Sequence, residues 1–166
     1  MKLTVRIFTL AMMWVVVSPV FARVPQGTSA PPSSDALEYR NTKYGFAFFL
    51  PQGWKGYTIV AGQWEASDAQ KGSVERGPVV SIRHPGWTEE NPRQDIPIVV
   101  FTLTQWESAQ KGDFYVGGSP ISFHELGRNR KYAFAVSSRY NEAEVVGREE
   151  VDKMLQHEPL RPLWSK

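Results

Sequence analysis

The sequence predicts a strand-dominated domain in which at least one helix covers a sheet. Several short runs alternate apolar and polar residues with period two, and clusters of Gly, Pro, Asn and Ser separate them. A segment near the C-terminus changes instead to a 3.6-residue period.

The elements follow in order. "LEYRNTKYGFAFFLPQGW" predicts two short strands joined through Asn41 to Tyr44, with Phe46, Phe48 and Leu50 on one face and Pro51 and Gly53 as the stop. "KGYTIVAGQWEA" adds a third, setting Tyr57, Ile59 and Ala61 against Val60, Gly62 and Trp64. "SDAQKGSVERG" reads as a polar link into the strand "PVVSIRHP", where Val80 and Ile82 share a face with His84. The strongest strand is Ile96 to Thr104: Ile98 and Val100 face one way, Val99, Phe101 and Leu103 the other, which predicts a central strand covered on both sides. "QWESAQK" offers a short helical turn ended by Gly112. A hairpin is predicted in "ISFHELGRNRKYAFAVSSRY", where Gly127 or Asn129 tolerates the φ > 0 of a tight turn. In "VGREEVDKMLQHE", Val151, Met154 and Leu155 fall at i, i+3 and i+4. A helix this short needs packing against the sheet to persist.

The first residues, "MKLTVRIFTLAMMWVVVSPVFARV", have a basic start at Lys2 and Arg6, an apolar run from Ile7 to Val17 and a small-residue exit at Ala22. This is the layout of a secretory signal peptide, residues 1–22, and the apolar run is short of the ~20 residues that span a bilayer. The mature chain is therefore expected to be exported, periplasmic or extracellular, without stable membrane insertion. Residues 23–36, rich in Pro, Ser, Gly and Thr, are expected to be a flexible linker. A single domain over 37–157 follows, then an irregular tail, 158–166, that Trp164 pins to the body.

Removing Lys2 and Arg6 from 19 basic residues leaves 17, equal to the 17 acidic ones. A neutral chain provides no general field for nucleic acid or an anionic membrane, so neither is an expected partner. With no cysteine, an exported chain has no disulfides to rely on and depends on its core. Five tryptophans beyond the signal, Trp54, Trp64, Trp87, Trp106 and Trp164, supply burial.

With the elements placed, "YRNTKYGFAFFLPQGWKGYTI" resembles the opening of secreted domains of the PsbP and Mog1-like fold: a short strand, an Asn-x-x-Tyr-Gly-Phe turn into an aromatic strand, then Leu-Pro-x-x-Trp. The closing "VGREEVDKMLQ" is similar to the final helix of such domains. The resemblance implies an α+β fold, an antiparallel β-sheet flanked by short helices with the C-terminal helix packed on the sheet. It also implies a binding or assembly module, most like the uncharacterised exported bacterial relatives. Fold alone does not fix function.

The chemistry-bearing residues narrow the choice further. A zinc site needs three or four ligands, and His84, His124 and His157 stand without a His-Glu-x-x-His pattern, so no metal or other cofactor is expected. Cysteine nucleophiles are excluded, no Gly-x-Ser-x-Gly elbow exists, and "VGGSP" lacks the Lys of a phosphate loop. The richest stretch is "SIRHPGWTEENPRQDIPIVVFT". Here Glu89 and Glu90 read as a solvated loop edge, whereas His84 and Trp87 close one strand and Arg93 and Asp95 open the next. These four, with Arg128 from the basic hairpin turn, are the candidate binding residues, as a polar and aromatic rim at one end of the sheet. Two uses remain open: bracing the loop, with Asp95 paired to Arg93 or Arg128, or lining a groove. The expected function is an exported non-catalytic domain that binds or assembles an extracytoplasmic protein. The alternative is a small hydrolase or small-ligand-binding protein using His84 with Asp95, which requires the two within hydrogen-bond reach.

Overall fold

The aromatic runs flanking Asn41 close as an antiparallel hairpin in the computed structural model, which describes residues 35–116, 118–140 and 145–164. Strand β1 (Leu37–Asn41) pairs with β2 (Phe46–Leu50). The turn is local chemistry: the Asn41 side-chain oxygen accepts from the Tyr44 N–H at 3.0 Å, and Gly45 adopts φ 77°. Pro51 ends β2, and a short 3-10 turn (Gln52–Trp54) drops Trp54 into the core, 1% exposed.

The next two strands correct the polar link expected over 67–77. Strand β3 runs from Thr58 to Asp68 and β4 from Ser73 to Arg83, so most of that link is the outer half of one long hairpin. Overall polarity disguised an alternation that persists through Trp64, Ala66 and Asp68, all buried, with exposed residues between them. Asp68 shapes the turn: its Oδ1 accepts from the Gln70 and Lys71 N–H groups at 3.0 and 2.9 Å, and Gly72 takes φ 63°. These bonds, led by that from Lys71, hold the Asp68 carboxyl below the usual carboxylate range.

Strand β5 (Ile96–Thr102) lies between β4 and β9 (Tyr132–Ser137), as a central strand should. It stops two residues earlier than expected because Thr102 and Gln105 form a capping box, which starts helix α1 (Leu103–Lys111). Gly112 ends that helix at φ 77°. Short strands β6 (Phe114–Val116) and β7 (Ser119–Pro120) follow, then the β8 (Phe123–Arg128) to β9 hairpin, which carries a bulge between Glu125 and Gly127. Helix α2 (Arg148–Gln156) buries Val151 and Leu155. The expected irregular tail is instead partly a strand: β10 (Leu160–Pro162) pairs with β2. Trp164 does reach the body, lying over Gly45, where an added Cβ would come within 2.5 Å of the indole.

Among the described residues, ten strands form two sheets, ordered β1-β2-β10 and β7-β6-β3-β4-β5-β9-β8, with each of these strands pairing antiparallel. The large sheet is covered on both faces. Ile98, Val100 and Phe134 meet Phe46 and Phe48 of the small sheet and Val151 of α2. On the opposite face, Val99, Phe101 and Ala135 pack with Trp64, Phe114 and Trp106 of α1. Among the described residues, no helix is long and apolar enough to cross a membrane.

Candidate functional site

The connection from β4 to β5 holds its own shape. Gly86 donates its N–H to His84 Nδ1 at 2.9 Å, and Trp87 donates its N–H to the His84 carbonyl at 3.0 Å. Farther out, the Asn91 N–H meets the Thr88 hydroxyl at 3.0 Å. Pro85, Gly86 and the tip from Thr88 to Pro92 are exposed.

The final ladder pair between β4 and β5 is Ile82 with Ile96, so Arg83 and Asp95 stand opposite each other one step beyond it. Their side chains meet in a forked pair: Arg83 Nε lies 3.2 Å from each Asp95 oxygen and Nη2 lies 2.8 Å from Oδ2. The Arg83 guanidinium also lies over the Trp87 ring, 3.9 Å from its centroid. Asp95 is therefore bound by Arg83 and not by Arg93 or Arg128, the partners expected from the sequence. The bond raises the Arg83 pKa.

Arg93 turns toward α2. Its Nη2 lies 3.4 Å from Glu150 Oε2, while the Trp54 indole N–H donates to Glu150 Oε1 at 2.9 Å. His84 sets its ring edge-on to Trp54, with centroids 5.0 Å apart. A backbone tie backs this group, since Gln94 donates its N–H to the Val146 carbonyl at 2.8 Å. Glu150 and Trp54 are the members that sequence reading missed. Trp54 was visible as part of the Leu-Pro-x-x-Trp corner, but no local spacing links Arg93 to Glu150.

Four of the five candidate residues, His84, Trp87, Arg93 and Asp95, thus share one end of the large sheet. Arg128 does not join them. It lies on the edge strand β8, forked onto Glu125 at 2.7 and 2.6 Å. No hydrogen bond links His84 to Asp95 among the described residues, and no group of three or more metal-ligating side chains occurs there. An open cavity of about 410 Å³ lies elsewhere, between α1 and β8, with Trp106, Gln110, Phe123, His124 and Glu125 in its lining.

Burial first, then the positive charge of Arg93, lowers the His84 pKa below its ordinary 6.5, against an opposing pull from Glu150. Because Nδ1 accepts a hydrogen bond, the neutral ring carries its proton on Nε2. A histidine whose pKa is depressed by folding contributes stability that is complete above the unfolded value. That contribution fades as pH falls below it. Thermal melts between about pH 7.5 and about pH 5.5 are therefore expected to show an acid-side loss that His84→Gln reduces. An equal loss in both proteins would show that His84 is not its source.

Asp95→Ala leaves Arg83 stacked on Trp87 but without its carboxylate. The pair is partly exposed, so the expected loss is about 1 kcal/mol by urea unfolding. Asp95→Asn, which retains an acceptor, is expected to lose less.

No known protein family, curated protein or solved structure matches the chain in comparison.

Proposed function

We propose that the chain is an exported binding or assembly module of the PsbP/Mog1-like kind, and that it offers the β4–β5 loop to an extracytoplasmic protein. One observation carries this reading: the polar groups at the base of the loop, His84 and Asp95 among them, are engaged in holding it in place. Asp95 is forked onto Arg83, His84 Nδ1 holds Gly86, and Arg93 is turned to Glu150. General acid-base work needs an acid or base aimed at a reacting atom. Recognition needs the reverse, a rigid frame beneath an exposed tip, as here, where Thr88, Glu89, Glu90 and Asn91 are presented to solvent.

Export rests on the signal-like pattern of residues 1–22. The fold reading rests on the Tyr44-Gly45-Phe46 turn, the Pro51 to Trp54 corner, the antiparallel sheet and the late helix. The exposed carboxylates favour a basic patch on the partner, so association would weaken with salt.

The test is affinity capture from the exporting cell's envelope, comparing wild type with a Glu89→Lys, Glu90→Lys double variant. A protein captured by the first and at least tenfold depleted with the second is the expected result. Equal capture by both, or none with either, would remove the loop as the recognition element.

A further inference from the structure

Strand β4 accompanies β3 along its whole length, from Thr58 opposite Arg83 to Asp68 opposite Ser73, without a register shift. On the other side β6 pairs only with Ser67 and Asp68. From Thr58 to Ala66, no strand among the described residues pairs with this outer edge.

The groups that face the edge can be identified. Ala69 donates its N–H to Asp113 on the β6 side at 2.9 Å. Backbone direction in a strand repeats every second residue, so the N–H and C=O of Ile59, Ala61, Gln63 and Glu65 point to the same side. Natural edges are blunted by proline, lysine, bulges or inward charge. Thr58 to Ala66 contains none of these. Its single charge, Glu65, is paired with Arg76 of the neighbouring strand at 2.7 Å.

We infer that this edge joins a second copy of the chain, β3 against β3 of the partner subunit, antiparallel about a two-fold axis at Gly62. The open stretch selects that register. Thr58 and Ala66 are equidistant from Gly62, so the axis there opposes Ile59 to Glu65 and Ala61 to Gln63. All four outward residues then exchange both backbone bonds, and β6 of each subunit begins where the shared ladder ends. Gly62 meets its counterpart at a position without backbone bonds, where side chains approach most closely. It has no side chain, and an added Cβ would meet only Val79, at 3.7 Å. Charge also fits self-association: each Glu65 faces Ile59 of the partner subunit, and the two carboxylates are kept roughly 20 Å apart along the strands. Residues 23–36 of the same chain suit this ladder less well, since Pro25, Pro31 and Pro32 have no N–H.

Sedimentation of the full chain over a wide concentration range tests the inference. Wild type is expected to dimerise. Ala61→Pro, which removes an outward N–H that the β4 ladder does not use, is expected to sediment as a monomer with an unchanged circular dichroism spectrum. Should that variant misfold, Gly62→Cys decides the matter in a chain with no other cysteine. Under mild oxidation it should form a disulfide-linked dimer at least tenfold faster than Gly53→Cys, placed on an exposed turn with open space around it. A wild type monomeric throughout, a dimer that survives Ala61→Pro, or equal cross-linking from the two cysteines would overturn the assignment.

Discussion

Asn129→Ala is expected to cost on the order of 3 kcal/mol in urea unfolding, although it deletes only a small polar group. Asn129 is 6% exposed and fully occupied. Its side-chain oxygen accepts from the Lys131 and Tyr132 N–H groups, both at 2.9 Å, which forms the β8–β9 turn. Its amide donates to the Tyr44 and Gly45 carbonyls at 2.8 and 3.0 Å, so that turn is tied to the β1–β2 turn. Truncation leaves two N–H groups and the Tyr44 carbonyl to find other partners, while the Gly45 carbonyl keeps the Leu163 N–H at 2.9 Å, and poorly solvated groups are the expensive ones to strand. Asn129→Asp separates the two halves of the role. It keeps the acceptor but aims a carboxylate at two carbonyl oxygens, and is expected to be at least as damaging as alanine. A loss below about 1 kcal/mol for alanine would mean that water replaces the side chain readily.

Trp54→Ala should cost about 3–5 kcal/mol, the range for a large buried aromatic side chain. The indole is 1% exposed, sits in the cluster that joins both sheets and α2, and meets His84 edge-on. Trp54→Phe isolates the polar part. It keeps much of the volume but drops the N–H bond to Glu150, which frees that carboxylate to pair with Arg93 alone. The phenylalanine variant is expected to lose about 2 kcal/mol by the same unfolding measurement. Parity between the two variants would place the whole effect in the hydrogen bond.

How much of this was legible in the sequence depended on the range of the interactions. Strands β2 and β5 and the β8–β9 hairpin were readable because their signals are local: Phe46, Phe48 and Leu50 alternate, Ile96 to Thr102 is apolar on both faces, and polar residues separate the last two runs, although the turn falls at Asn129 to Lys131 and Gly127 is part of the bulge inside β8. The outer β3–β4 hairpin was missed because its exposed side chains gave it the composition of a loop. The available signal was the continuation of the alternation already read through Trp64 and Ala66, which reaches one more buried member at Asp68. Strand β10 carries no pattern of its own, since Leu160, Arg161 and Pro162 become a strand only by lying beside β2. At the candidate site, sequence reading found the loop and four of its residues but assigned the wrong charge partners. Arg83 was overlooked for Asp95 because it lay inside the strand pattern, and Glu150 was invisible to Arg93 because the fold alone brings α2 to that loop.

The position of β10 also affects how the chain is made. Strand β2 has β1 on one side from nearby sequence, but its other neighbour, Leu160 to Pro162, is remote from it in sequence. A growing polypeptide must hold Phe46, Phe48 and Leu50 without that neighbour until Leu160 to Pro162 has been synthesised. Closure is then a long-range event with a large loop-entropy cost and occurs late. The small sheet is therefore finished only when Leu160 to Pro162 reaches β2, and until then one edge of Phe46 to Leu50 stays open to pairing with other strands.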